Sequence, residues 1–119
     1  MRAGTLLDHD LDMPLAAVAR CEGSIERMRG LLGRPPPAPG TGLLIAPCNS
    51  VHTVGMRYAI DVVFLDREGR VLKVCAALRP LRLAVARGAR QVIELAAGEA
   101  ARLGLAPPRR LRWQAGQAA

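Results

Sequence analysis

Aromatic residues are scarce in this chain: Tyr58, Phe64 and Trp113 are the only three among 119 residues. Proteins that grip single-stranded nucleic acid stack bases on several aromatic rings, so that class is disfavoured from the outset. Lysine is scarcer still, with Lys73 alone beside sixteen arginines. The three cysteines, Cys21, Cys48 and Cys75, include no Cys-x-x-Cys pair and leave one thiol over in any disulfide scheme. That excludes a disulfide-stapled scaffold and points to a reducing compartment. A long apolar run is missing too. The longest stretch without a formal charge, Pro35 to Met56, is broken by proline, glycine and polar residues, which no membrane-spanning helix tolerates. Residues 1–13 carry Asp8, Asp10 and Asp12 where a signal peptide would carry its apolar centre. The expectation is a cytoplasmic chain that does not follow the general export route.

What is present is ordinary globular composition. Half of the residues are hydrophobic and 23% are charged, enough for one core and too little chain for two domains. The formal net charge of +7 would attract any polyanion. The arginines are nevertheless dispersed, and no block reaches the five or six like charges of a binding tail. An alanine-, glycine-, proline- and arginine-rich composition also follows from a GC-rich coding sequence. Nucleic-acid binding through arginine therefore stays an alternative behind the leading reading.

The chain reads as many short strands with two short helices. Residues 1–13 form a flexible lead-in, residues 14–113 a single β-rich domain, and residues 114–119 a tail. Pro14–Cys21 reads as a strand. Ser24–Leu32 reads as an amphipathic helix capped by Ser24, with Ile25, Met28, Leu31 and Leu32 on one stripe and Gly33 at its end. Consecutive prolines make residues 34–42 an extended surface loop. Leu43–Ala46 is a strand, followed by a turn over residues 47–50. From Val51 to Asp66 apolar residues fall on even positions, which predicts one half-buried strand or two joined near residues 57–59. Asp66-Arg67-Glu68-Gly69 is a hairpin turn leading back into Val71–Ala76. Leu83–Ala86, Gln91–Leu95 and Leu111–Trp113 complete the strands. Residues 98–103 form a helix closed by Gly104. The fold class that follows is mainly β, a compact antiparallel sandwich or small barrel, jelly-roll-like, with two short helices.

The string GLLIAPCNSVHTVGMRYAIDVVFLDREGRVLKV, followed by LRP and by VIELAAGEAARLGL, resembles a bacterial and archaeal family known as domain of unknown function 192 (uncharacterised protein family 0127). The resemblance spans Val18 to Leu105. It implies one small, mainly β, jelly-roll-like domain and implies no activity. Its commoner branch has a tryptophan-methionine-lysine-asparagine-threonine motif where this chain has His52-Thr53-Val54-Gly55-Met56-Arg57, so the chain resembles the histidine-threonine branch. Pro107-Pro108-Arg109 stands where a glycine-aspartate pair is usual.

Candidate site residues concentrate between Cys48 and Arg79. Cys48 and His52 could act as nucleophile and base, with Asp61 or Glu94 to orient the histidine. On one straight strand they would lie about 13 Å apart, too far for that. His52 also falls on the apolar parity, which suits a core histidine. Cys48 and His52 are too few ligands for zinc, and no metal or cofactor is expected. Asp61 interrupts an apolar strand, which calls for an ion pair with Arg57 or Arg79 or for capping of a backbone donor. Alternatively Thr53, Arg57, Asp61 and Arg79 form a polar pocket for a small anionic or carbonyl-bearing ligand. Glu94 reads as solvated. The leading expectation is thus a binding or accessory domain without catalysis, its pocket drawn from Cys48, His52, Thr53, Arg57, Asp61 and Arg79. Its partner would be a small ligand or another protein.

Overall fold

The firmest local signal, the turn at residues 66–69, organises the sheet. In the computed structural model, which describes residues 1–116, Asp66 Oδ1 accepts the backbone N–H groups of Glu68 and Arg70, both at 2.9 Å. Strands β5 (Ile60–Leu65) and β6 (Val71–Leu78) leave this turn antiparallel. Gly69 sits at φ 88°, and a Cβ there would run into the backbone carbonyl of Leu111. Only glycine suits both conditions.

The remaining strands are β1 (Gly4–Asp8), β2 (Met13–Arg20), β3 (Thr41–Ile45), β4 (Ser50–His52), β7 (Leu83–Val85), β8 (Gln91–Ala96) and β9 (Leu111–Ala115). Seven of them form one sheet in the order β6-β5-β8-β3-β2-β1-β9, while β4 and β7 make a separate two-stranded ribbon. Its two edge strands meet at one corner. There Arg70 bridges Arg110, Leu111 N–H donates to the Gly69 carbonyl at 2.8 Å and Val71 N–H to the Arg109 carbonyl at 2.9 Å. The sheet thus curls toward a small barrel, mainly β as expected. One pair, β2 with β3, is parallel, because the long connection over residues 21–40 crosses over between them.

Two cores lie on opposite faces of this sheet. Inside the curl, Leu6, Val18, Leu44, Val63, Ile93 and Leu95 pack together under helix α2 (Glu99–Leu103). Outside, Leu43, Ile45, Val62, Phe64 and Val92 pack under the ribbon and the segment around Leu31. All six residues of β5 are buried. Its alternation divides one core from the other, not core from solvent.

That arrangement corrects several expectations. The stretch 1–13, read as a lead-in, contains β1, buried at every position and paired to both β2 and β9. Helix α1 (Ser24–Arg29) starts from Gly23 with no side-chain cap from Ser24, and it ends at Gly30, not Gly33. Its stripe is only partly buried: Ile25 and Met28 are both more than four-fifths exposed, while Leu31, past the end of the helix, packs in the outer core. Gln114 and Ala115, read as tail, extend β9, and residues 117–119 lie outside the described residues. His52 points to solvent on β4, while Glu94 is buried.

Candidate functional site

Asp61 stands in the middle of the sheet and is completely buried. Its carboxylate makes no ion pair with Arg57 or Arg79, both of which are exposed. It caps backbone donors instead. Oδ1 accepts Ala77 N–H at 2.8 Å, and Oδ2 accepts Gly98 N–H at 3.0 Å and Ala100 N–H at 2.9 Å. The pairing of β5 with β6 slips at this point, and Ala77 adopts a φ of 49°. One carboxylate therefore closes a bulge and holds α2 over the mouth of the inner core.

Thr53 is equally buried and also serves the backbone. Its hydroxyl donates to the Arg79 carbonyl at 2.6 Å and accepts Arg82 N–H at 2.8 Å. Its own N–H donates to the Arg82 carbonyl at 2.8 Å. Thr53 thus meets Arg79 through main chain, with the guanidinium left in solvent. Cys48 is half-buried, and its Sγ donates to the Ser50 carbonyl at 3.1 Å. Burial pushes the Cys48 thiol up from its ordinary value, the opposite of what an attacking thiolate needs. Among the described residues no hydrogen bond links it to His52. The six expected pocket residues are thus split between the two faces of the sheet, with Asp61 on the inner side and Cys48 on the outer.

Glu94, expected from sequence to be solvated, is buried instead. It occupies central strand β8 between Leu43 of β3 and Val62 of β5, only 5% exposed. Burial pushes its carboxyl up to about 6, although the Leu31 N–H on Oε1 at 3.0 Å pulls the other way. Gly30, at φ 52°, comes so close that a Cβ would strike the same oxygen. A cavity of about 50 Å³ adjoins the carboxyl, lined among others by Met28, Met56, His52, Arg27 and Arg29. Isoleucine and leucine on either side of Glu94 gave no sign that this parity is covered.

Above it lies the proline loop. Tyr58 Oη donates to the Arg34 carbonyl at 3.0 Å and pins the loop to the 55–58 turn. Between them opens a cleft of about 510 Å³ with Arg34, Arg57, Tyr58, Met56, Pro35 and Pro36 on its walls. On the other side of the loop a more apolar groove of about 420 Å³ runs along Ala17, Val18 and Leu43. Arg34 borders both. Of the residues singled out from sequence, Arg57 is the one that reaches the larger cleft; its companion Arg34 went unnoticed because its neighbours in sequence are all loop-formers. No three His, Cys, Asp or Glu side chains among the described residues are grouped to hold a metal. No helix among them is long and apolar enough to cross a membrane.

The curled sheet, its plug helix and its outer clefts define a small, mainly β domain. The chain belongs to the family described as Uncharacterized ACR, domain of unknown function 192, whose profile matches residues 9–113. No curated protein matches it. Two solved structures share the fold. A protein of unknown function from Novosphingobium aromaticivorans is 22% identical with a TM-score of 0.78, over 93% of this chain and 84% of its own. A Sinorhizobium meliloti protein put forward as a transcription regulator is also 22% identical with a TM-score of 0.78, over 94% of this chain and 92% of its own.

Proposed function

We propose that this chain is a binding module, without catalysis, for a small anionic ligand that has an apolar body. The observation that carries the reading is the cleft beside the proline loop. Two guanidinium-bearing residues, Arg34 and Arg57, share its walls with Pro35, Pro36, Met56 and Tyr58. Its size falls within the range of small-molecule sites, where apolar walls supply contact and a few polar groups fix orientation. Arginine forks match the two oxygens of a carboxylate or phosphate. The raised Cys48 thiol and the solvent-facing His52 support binding over nucleophilic chemistry.

Benzoate and phenyl phosphate are suitable probes, with benzylamine as the cationic control. Titration followed by amide NMR should shift Gly33, Gly55, Arg57 and Tyr58 with the two anions and leave them unmoved by the amine. The Arg57→Ala chain should lose the response. Equal shifts with benzylamine, or none with either anion at millimolar concentration, would refute the proposal.

A further inference from the structure

The outward face of the β4–β7 ribbon is unusual. In β7 the small Ala84 turns into the outer core while Leu83 and Val85 turn out, 70% and 50% exposed. Leu81, two residues before Leu83, is also 70% exposed, and Val54 beyond β4 is 56% exposed. Leu83 lies opposite His52 and Val85 opposite Ser50, so these side chains share one face. Leu81 holds a φ of 63°, an uncommon conformation for a bulky residue. The Thr53 staple on Arg79 and Arg82 imposes it, and the result is a leucine held outward.

The charges that flank this apolar strip along the chain have one sign. Arg57, Arg79, Arg82, Arg87 and Arg90 are all exposed. None joins an ion pair among the described residues. No aspartate or glutamate occurs from Arg27 to Ile60 or from Arg70 to Ile93. The acids of this chain lie elsewhere: at the 8–12 turn, near α1, in the 66–69 hairpin, in α2 and in the cores.

We propose that this face docks on an anionic lipid surface. The leucines and valines would enter the boundary between headgroups and acyl chains while the arginines meet lipid phosphates. Two observations favour lipid over protein. The strip rests on two strands of three residues each, far short of the roughly 20–30 residues a side of a standard protein interface. It also lacks the aromatic anchors that carry most such interfaces. A lipid surface adapts its own shape and needs no matching relief.

Vesicle sedimentation tests this on the full chain. The protein should pellet with vesicles of phosphatidylglycerol in phosphatidylcholine and stay in solution with phosphatidylcholine alone. Replacing Leu81, Leu83 and Val85 together by serine keeps the charge and should weaken partitioning about tenfold or more. Arg79→Gln and Arg82→Gln should each weaken it about fivefold at low salt. In a Leu83→Trp chain, emission should shift to the blue on vesicles and be quenched by brominated phospholipid, over the constant background of Trp113. The proposal fails if the native chain ignores anionic vesicles, or if the triple serine variant, still folded, binds as well as the native chain. Retention on duplex DNA or polyglutamate without vesicle binding would also overturn it.

Discussion

Replacing Glu94 by glutamine should make this protein more stable at neutral pH, although it alters a buried group at the centre of the sheet. The carboxyl is 5% exposed and is pushed from 4.5 up to about 6 by burial. Each unit of that shift corresponds to about 1.4 kcal/mol, so the displacement amounts to about 2 kcal/mol. The sign follows from the direction. A carboxyl raised in the folded state holds its full contribution below about 4.5 and loses it as pH climbs through about 6. At pH 7.5 the native chain carries an ionised carboxylate in its outer core; the amide carries none. The glutamine oxygen can still accept the Leu31 N–H that Oε1 accepts now. Arg27, Arg29 and His52 line the cavity beside Glu94, and the Cys21, Cys48 and Tyr58 groups that its charge pushes up stay protonated across the range compared. Urea unfolding of the two chains from about pH 4 to pH 8 reads the effect. The difference in unfolding free energy should grow in favour of Glu94→Gln with a midpoint about halfway between 4.5 and about 6 and level off above that at about 2 kcal/mol. A difference that stays flat with pH, or a variant less stable than the native chain at pH 8, would show that Glu94 does not titrate in the core.

Asp61→Ala should cost about 2 kcal/mol, because it strands the buried Ala100 donor and removes the bonds to the Ala77 and Gly98 donors, which water can partly replace; a loss under about 1 kcal/mol in urea would refute the capping role. Gly69→Ala should destabilise by more than about 1 kcal/mol, since it adds a left-handed penalty to a clash with the Leu111 carbonyl, and an unchanged melting midpoint would contradict it. Cys48 should alkylate with iodoacetamide at pH 7 more slowly than free cysteine, because burial holds its thiol protonated; a faster rate would revive the nucleophile reading.

The parts of the fold legible in sequence were those governed by neighbours along the chain. Asp66 and Gly69 announce a hairpin because the turn needs one side-chain acceptor and one left-handed residue. Gly98 and Gly104 bracket α2 for the same local reason. What escaped was decided by distant parts of the chain. Strand β1 looked like part of a loose lead-in because residues 1–13 are polar and lack a clear period. In the structure Asp8 caps the N–H groups of Asp10 and Leu11 and pairs with Arg109 at 2.7 Å. Periodicity separates two faces but cannot say whether water touches either of them. Both faces of β5 and β8 are covered, so Glu94 passed for solvated, whereas His52 passed for core although it lies on the open face of the short strand β4. The candidate site suffered likewise: Asp61 and Arg57 share a parity in sequence, yet Arg57 lies in the connection over residues 53–59 while Asp61 lies in β5, so no common strand aligns them.

Strand β1, near the start of the chain, pairs along its whole length with β9, near the end, from Gly4 opposite Ala115 to Asp8 opposite Leu111. During synthesis the first strand must therefore wait for the last. Until β9 leaves the ribosome, one edge of β1 stays unpaired and the inner core lacks Leu111. Pairings across nearly the full chain also slow the search for the native state, toward the milliseconds-to-seconds range of β-rich domains. An unpaired apolar edge exposed over that interval is a route to aggregation, so truncations within β9 should reduce yield in the cell more than their small size suggests.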